Sequence, residues 1–336
     1  MNSSDRFHKR GVFVVGCGSM GQHHLANLKT LGVEDLMAYD PQKEQVEFVR
    51  ETIGVQTVPS FEEGLKAYPA SVVVCTPPHL HAEVARAAVE GGADVLIEKP
   101  IAHQIQDGEE LLEVAAKHSR IVMVGYNLRF HPGLQKVKEL IDSGVIGRIL
   151  TIRAEFGQYL PDWRPAQDYR LGYIVSSAMG GGIILDSSHE IDYVRWLGGE
   201  VRSVLAVAER ISDLEMDTED AALISMRLAH GVLAHISLDC FQRGYSRSCK
   251  VVGSEGTVVW DFHTGVRLYT AQEKRWDNFP MTPNANEMYI REMEHFLACV
   301  RKETTPLVNG VEGMRVLRIA LAAKESARMR KEIPLS

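Results

Sequence analysis

Cysteine pairs, aromatic side chains, excess positive charge and long apolar runs are all scarce in this chain. Its five cysteines, Cys17, Cys75, Cys240, Cys249 and Cys299, are odd in number, scattered, and form no C-x-x-C pair. That excludes a disulfide framework and a zinc knuckle, and they read as small core residues in a reducing compartment. With 37 basic against 44 acidic side chains the formal charge is -7, and no basic run gives an electrostatic footprint for nucleic acid or an anionic membrane. A small-molecule partner is expected instead. The start, Met1 to Arg10, is polar, and the apolar run Val12 to Val15 breaks at Gly16, too short for a signal-peptide core or a membrane span. Cytoplasmic residence is expected by default. What is present is the balance of an ordinary globular protein long enough for two domains: 336 residues, 45% hydrophobic, 24% charged and 7% aromatic.

Up to about residue 126 short β-branched runs alternate with helix-like stretches, the pattern of an α/β doubly wound parallel sheet with helices on both faces. Strands are predicted at Val12–Val15, Leu36–Asp40, Val55–Val58, Val72–Cys75, Val95–Glu98 and Ile121–Val124. Between them, Pro41 suits a first helical turn, Val46, Val49 and Ile53 share one face, and Gly54 suits a left-handed stop. Ser60 with Glu63 has the spacing of a capping box. From 127 to 336 an α+β substrate-binding and oligomerisation domain on an open antiparallel sheet is expected. One hairpin turns at Ala229-His230-Gly231 and another at Gly253-Ser254-Glu255-Gly256. Two helices close it, near Asn286–Lys302 and Val311–Arg330, the last able to pack back on the first domain. The alternating Ile224, Met226, Leu228, Leu233 and Ile236–Leu238 offer an apolar sheet face for a homodimer or homotetramer. Phe156–Gly182 lacks periodicity, which makes it a candidate binding loop.

Gly16-Cys17-Gly18-Ser19-Met20-Gly21 is G-x-G-x-x-G, directly after the first strand and before a helix that stops at Gly32. In that setting Gly16 makes the tight turn, Gly18 lets the backbone approach a pyrophosphate, and Gly21 lets helix and strand pack closely. The phosphates then sit on the helix N-terminus formed at Ser19 and Met20. Asp40, 19 residues past Gly21, can accept hydrogen bonds from the adenosine ribose hydroxyls and repel a 2′-phosphate. It can equally be the N-cap of the next helix. NAD is the expected cofactor, with NADP the alternative that Lys43 would help.

At Glu98-Lys99-Pro100, after the fifth strand, the sequence resembles the Gfo/Idh/MocA oxidoreductase family. Thr76-Pro77-Pro78-His79-Leu80-His81, Gly125-Tyr126-Asn127-Leu128-Arg129-Phe130 and Gly180-Gly181-Gly182 followed by Asp186, His189 and Asp192 add to the resemblance. It implies that Glu98 and Lys99 lie at the cofactor with Lys99 facing nicotinamide and substrate, that Thr76, Pro77 and His81 line the cofactor, and that His189 transfers the proton. It also implies oligomer contacts through the sheet. The family's usual D-x-G-x-H is one residue shorter here, Asp186-Ser187-Ser188-His189, so Asp186 and Asp192, each three residues from His189, both stand as its partner.

Oxidising a secondary alcohol needs a group to take the hydroxyl proton, for which imidazole is suited, and a cation to stabilise negative charge developing on oxygen. The resemblance makes His189 and Lys99 the expected groups, with Asp186 the third catalytic residue, acting on a sugar, sugar nucleotide or cyclitol. Arg129, Tyr159, Trp163 and Asp192 are expected to bind substrate. Also in or near the aperiodic segment are His131, Arg164, Asp168, Tyr169 and Arg170. No metal site is expected, since Tyr193 occupies the place of the second histidine in H-E-x-x-H. Two other readings remain: tightly held NAD serving a redox-assisted elimination or glycoside cleavage, and a non-catalytic nucleotide-sensing regulator, which would need neither Lys99 nor His189.

Overall fold

The computed structural model describes residues 11–165, 167–281 and 284–335, and the polar start, Met1 to Arg10, lies outside them. The chain divides into two compact units. One is the chain through Tyr126 together with Tyr289–Leu317, the other Asn127–Met288 together with Arg318–Ser336. The chain passes between the units after residues 126, 288 and 317.

In the first unit six parallel strands, β1 (Val12–Val15), β2 (Leu36–Tyr39), β3 (Gln56–Thr57), β4 (Ser71–Val74), β5 (Asp94–Glu98) and β6 (Val122–Gly125), lie in the order β3-β2-β1-β4-β5-β6. Valine-rich runs suit such strands because both faces are covered, and β1, β4 and β6 are buried throughout. Helices α1 (Ser19–Thr30), α2 (Lys43–Phe48), α3 (Phe61–Lys66), α4 (His81–Glu90) and α5 (Ile105–His118) connect them. The local signals work as expected: Gly54 is left-handed at φ 71°, and Ser60 Oγ accepts from the Glu63 N–H at 3.2 Å. After α2 the chain widens into a π-helical turn at Val49–Ile53, so of Val46, Val49 and Ile53 only Val49 is buried. The β6 edge is closed by the returning segment. The Val124 N–H donates to the Val308 carbonyl at 2.9 Å, between α9 (Glu287–Val300) and α10 (Gly310–Met329). At Gly313 a Cβ would come within 2.6 Å of Val124, so only glycine permits that approach.

The second unit holds α6 (Pro132–Asp142), α7 (Ile183–Asp186), α8 (His189–Gly198) and a nine-stranded sheet. Its strands are β7 (Ile149–Gly157), β8 (Val201–Glu209), β9 (Ala221–Leu228), β10 (Leu233–Asp239), β11 (Ser246–Gly253), β12 (Gly256–Asp261), β13 (Gly265–Thr270), β14 (Trp276–Phe279) and β15 (Ile333–Pro334), in the order β14-β13-β12-β11-β7-β10-β9-β8-β15. Both expected hairpins form, β9–β10 and β11–β12. The sheet is mixed and mostly antiparallel, not wholly antiparallel, because β7 pairs β10 in parallel. Helix α8 packs on β7 and β10, and α6 on β12.

That covering corrects the expected oligomer face. Ile224, Met226, Leu228, Ile236 and Leu238 are buried within the unit, whereas the opposite face exposes Leu205, Val207, Leu223 and Leu233. The aperiodic segment begins as the end of β7 and continues in short 3-10 turns at Leu160–Asp162, Tyr169–Leu171, Tyr173–Val175 and Ser177–Met179. No helix among the described residues is long and apolar enough to cross a membrane.

Candidate functional site

In the first unit the strand order reverses between β1 and β4, the place where doubly wound sheets open a ligand crevice. The glycine-rich turn sits there. Gly16 has φ 95°, and a Cβ on it would lie 2.6 Å from the Cys75 carbonyl; a Cβ on Gly21 would lie 1.8 Å from the Gly16 oxygen. Packing within the protein requires both. Gly18 is different: at φ -67° any residue is allowed, and a Cβ there meets nothing within 4 Å. Its open side lies before Ser19 and Met20, in the first turn of α1, where helix N–H groups point outward.

Asp40 lies just past β2. One carboxylate oxygen accepts from the Cys17 N–H at 2.7 Å and the other from the Gln42 N–H at 2.8 Å. Asp40 therefore serves the turn into α2 and is also held against the glycine loop, with a lone pair left on each oxygen. Burial, then the charge of Asp40, pushes the Cys17 thiol up to about 12. Thr76 Oγ1 is buried without a hydrogen-bond partner among the described residues, and Pro77 follows it into α4. The space over Gly18, the orphaned Thr76 hydroxyl and the Asp40 acceptors fit the pyrophosphate and ribose of a dinucleotide.

His81 departs from the expected cofactor contact. It is 1% exposed, with Nε2 2.6 Å from the Thr76 carbonyl and Nδ1 2.7 Å from the Pro100 carbonyl. The ring ties the loop after β4 to the Glu98-Lys99-Pro100 loop and presents neither nitrogen to a ligand. Burial holds its imidazole below the usual value although both carbonyls act to raise it. Glu98 ends β5 and meets His24 Nε2 of α1 at 2.6 Å.

In the second unit His189 is the first residue of α8 and is 9% exposed. The triple glycine before it is held from the side. Gly182 has φ 105°, and a Cβ there would lie 2.3 Å from Glu219 Oε1. That oxygen accepts from the Ile184 N–H at 3.3 Å, and Lys324 reaches Glu219 at 3.2 Å and the Gly181 carbonyl at 3.1 Å. Asp186, at the end of α7, accepts a hydrogen bond from the Tyr173 hydroxyl.

Two buried ion pairs fix α8. Arg129 donates to both oxygens of Asp192, at 2.8 and 2.7 Å, and lies 5.5 Å over the Trp196 ring. Glu190, fully buried, meets Arg247 at 2.9 Å, and that guanidinium lies 4.3 Å over Phe156. The expected substrate ligands Arg129 and Asp192 are thus paired with each other. Tyr159 lies under Arg243 at 3.5 Å, and Trp163 donates to the Gln158 carbonyl at 3.0 Å while meeting Phe156 edge-on. His131 caps α6, accepting from the Gly133 N–H. Arg164 is exposed, Asp168 and Arg170 pair on the surface, and Tyr169 Oη accepts from the Glu215 N–H. Glu190, Arg247, Tyr173, Glu219 and Lys324 were not legible as site-shaping residues, since each acts through a partner at least 13 positions away. Among the described residues no group of three His, Cys, Asp or Glu could hold a metal ion.

Comparison with known proteins matches two stretches of the chain. Residues 10–126 match the oxidoreductase family with an NAD-binding Rossmann fold, and residues 134–259 match the GFO/IDH/MocA C-terminal domain. The chain is 28% identical to a myo-inositol 2-dehydrogenase of Thermotoga maritima over 96% of its own length and 98% of the relative's. It is 30% identical to inositol 2-dehydrogenase 3 of Saccharopolyspora erythraea, with 74% and 72% covered. Among solved structures, a levoglucosan dehydrogenase in complex with NADH superposes with a TM-score of 0.89 at 21% identity, covering 97% and 99% of the two chains; that likeness is one of fold.

Proposed function

Because the chain belongs to the Gfo/Idh/MocA family of NAD-binding oxidoreductases, we propose that it moves a hydride between NAD and a secondary hydroxyl or keto carbon of a sugar, sugar nucleotide or cyclitol. Bound NAD supplies the hydride acceptor or donor. Gly16, Gly18, Ser19, Met20 and Gly21 hold its pyrophosphate, Asp40 its ribose, and Thr76, Pro77, Glu98 and Lys99 line the rest. Asp40 favours NAD over NADP. His189 takes the substrate's hydroxyl proton, Lys99 stabilises the negative charge developing on that oxygen, and Asp186 orients the imidazole.

The observation that carries this reading is the over-determined setting of His189. The acids beside it on α8 are fixed by Arg247 and Arg129, and the glycine turn before it is braced by Glu219 and Lys324. A surface histidine would need no such frame; a proton-transferring group must be held in place. The named relatives support a polyhydroxylated ring substrate.

The test is a screen of cyclitols, aldoses and nucleotide sugars for NAD reduction, followed by His189→Ala on the substrate found. Loss of a general base lowers turnover by roughly 10²–10⁴, and NAD binding should be unchanged. Turnover kept in that variant, where chemistry limits the rate, would sink the assignment. Lys99→Ala should act similarly, with some loss of substrate affinity.

The exposed face bearing Leu205, Val207, Leu223 and Leu233 supports association with a second copy, Val207 standing opposite Leu223 in the sheet. Light scattering that finds only monomer at micromolar concentration would remove this. The five unpaired thiols support a cytoplasmic, reducing environment.

A further inference from the structure

Glu292 on α9 is fully buried, and neither carboxyl oxygen has a hydrogen-bond partner among the described residues. An unpartnered carboxyl in the interior disfavours its own ionisation. The charge that acts on it is Glu98, the last residue of β5. Glu98 meets His24 of α1 at 2.6 Å. Lys99 and His81 also act on Glu98, and Cys75, just past β4, feels both carboxyls. Burial first, and the charge of Glu98 second, pushes Glu292 well above the usual carboxylate range. Glu98 is held below that range: burial acts to raise it, but the hydrogen bond and charge of His24, then Lys99 and His81, outweigh burial. The His24 contact thus favours the ionised form of Glu98, and burial without a hydrogen-bond partner favours the neutral form of Glu292, with Glu98 at the C-terminal end of β5, the end of the sheet where ligands bind.

We propose that the Glu98–Glu292 carboxyl pair, backed by His24, sets this domain's preference between NAD+ and NADH by releasing the Glu292 proton when the positively charged form binds. The two forms carry the same phosphates and differ by the positive charge of the oxidised nicotinamide. Negative charge near that ring favours NAD+. Linkage makes the effect reciprocal: if ionised Glu292 favours NAD+, then NAD+ favours ionisation. Affinity for NAD+ relative to NADH therefore rises with pH through the titration of Glu292, and below it the ratio is constant. A unit charge within about 10 Å in a partly desolvated site corresponds to about a tenfold change in that ratio. Only dinucleotide binding is needed, so failure here would leave the dehydrogenase reading and the role of His189 untouched.

Calorimetric titration of the full chain with NAD+ and with NADH, from about pH 6 to 9, in buffers of different ionisation heat, tests this. The wild type should show the ratio rising with pH, and more proton release with NAD+ than with NADH. Glu292→Gln and Glu292→Met should flatten the ratio and remove the difference in proton release. A pH-independent wild-type ratio, or an unchanged slope in either variant, overturns the proposal. If neither variant folds, the wild-type proton counts decide: equal counts for the two forms overturn it, and excess release with NAD+ supports it.

Discussion

The three glycines of the nucleotide loop should separate into two kinds when each is given a methyl group. In Gly21→Ala the new carbon would lie 1.8 Å from the Gly16 oxygen, a backbone atom with no flexible end to move aside. Overpacking of this kind costs about 1–3 kcal/mol, and a domain of this size loses roughly 2–4 °C of melting temperature per kcal/mol, so a fall of roughly 2–12 °C is expected. Gly18→Ala meets open space at an ordinary φ of -67°, and exchanging glycine for alanine at an N-cap costs roughly 1 kcal/mol or less. Its melting temperature should fall by no more than about 2–4 °C. Dinucleotide affinity should fall instead, because the methyl group occupies the space through which a pyrophosphate reaches the backbone. Losing one charge-assisted hydrogen bond, about 1.5–3 kcal/mol, corresponds to roughly 10- to 150-fold. Differential scanning calorimetry without ligand and titration with NAD measure the two effects. If Gly18→Ala binds NAD as the wild type does, or Gly21→Ala melts with it, the division of labour in the loop is wrong.

Asp40→Ser should cut the preference for NAD over NADP by about tenfold or more, since a ribose acceptor and a charge are both lost; an unchanged ratio would remove Asp40 from specificity. Asp192→Asn leaves the buried Arg129 guanidinium without its counter-charge and should cost about 3–5 kcal/mol in urea denaturation. Arg129→Met combined with Asp192→Leu should lose less than the two single changes added, and simple additivity would show that the pair does not act as a unit. Glu292 has its folded value raised, so it favours folding at low pH and loses that contribution as pH rises from the unfolded carboxylate range toward the folded value. Glu292→Gln should therefore melt above the wild type by a margin that grows from acid to neutral pH, and a constant margin would mean that Glu292 ionises normally. Burial raises the Cys17, Cys240 and Cys249 thiols, so these should resist alkylation at about pH 8 until urea unfolds the chain; rapid labelling of the native protein at any of them would contradict that burial.

The sequence by itself determined what is local. Valine runs bounded by Gly16, Gly32 and Gly54 specify the parallel strands and their helices, because unbroken apolar runs need cover on both faces and left-handed turns need glycine. Ser60 with Glu63, the two hairpin turns and the glycine-rich loop were likewise legible, each resting on residues a few positions apart. Edges were not: Val55–Val58 shrinks to Gln56–Thr57, since β3 pairs only with β2. Tertiary structure alone decided what depends on distant partners. The parallel pairing of β7 with β10 and the return of Tyr289–Leu317 along β6 rest on contacts with no local period. It also decided which sheet face the helices cover, so that Ile224 and Met226 are core while Leu223 faces outward. His81, read as lining a cofactor, is a strut because Pro100 happens to lie 2.7 Å from its ring. Asp192 and Arg129, read as substrate ligands, are each other's counter-ion. Residue type announces the chemistry a side chain can do, but whether it does so toward a ligand or toward the protein depends on which opposite charge the fold brings within about 3 Å.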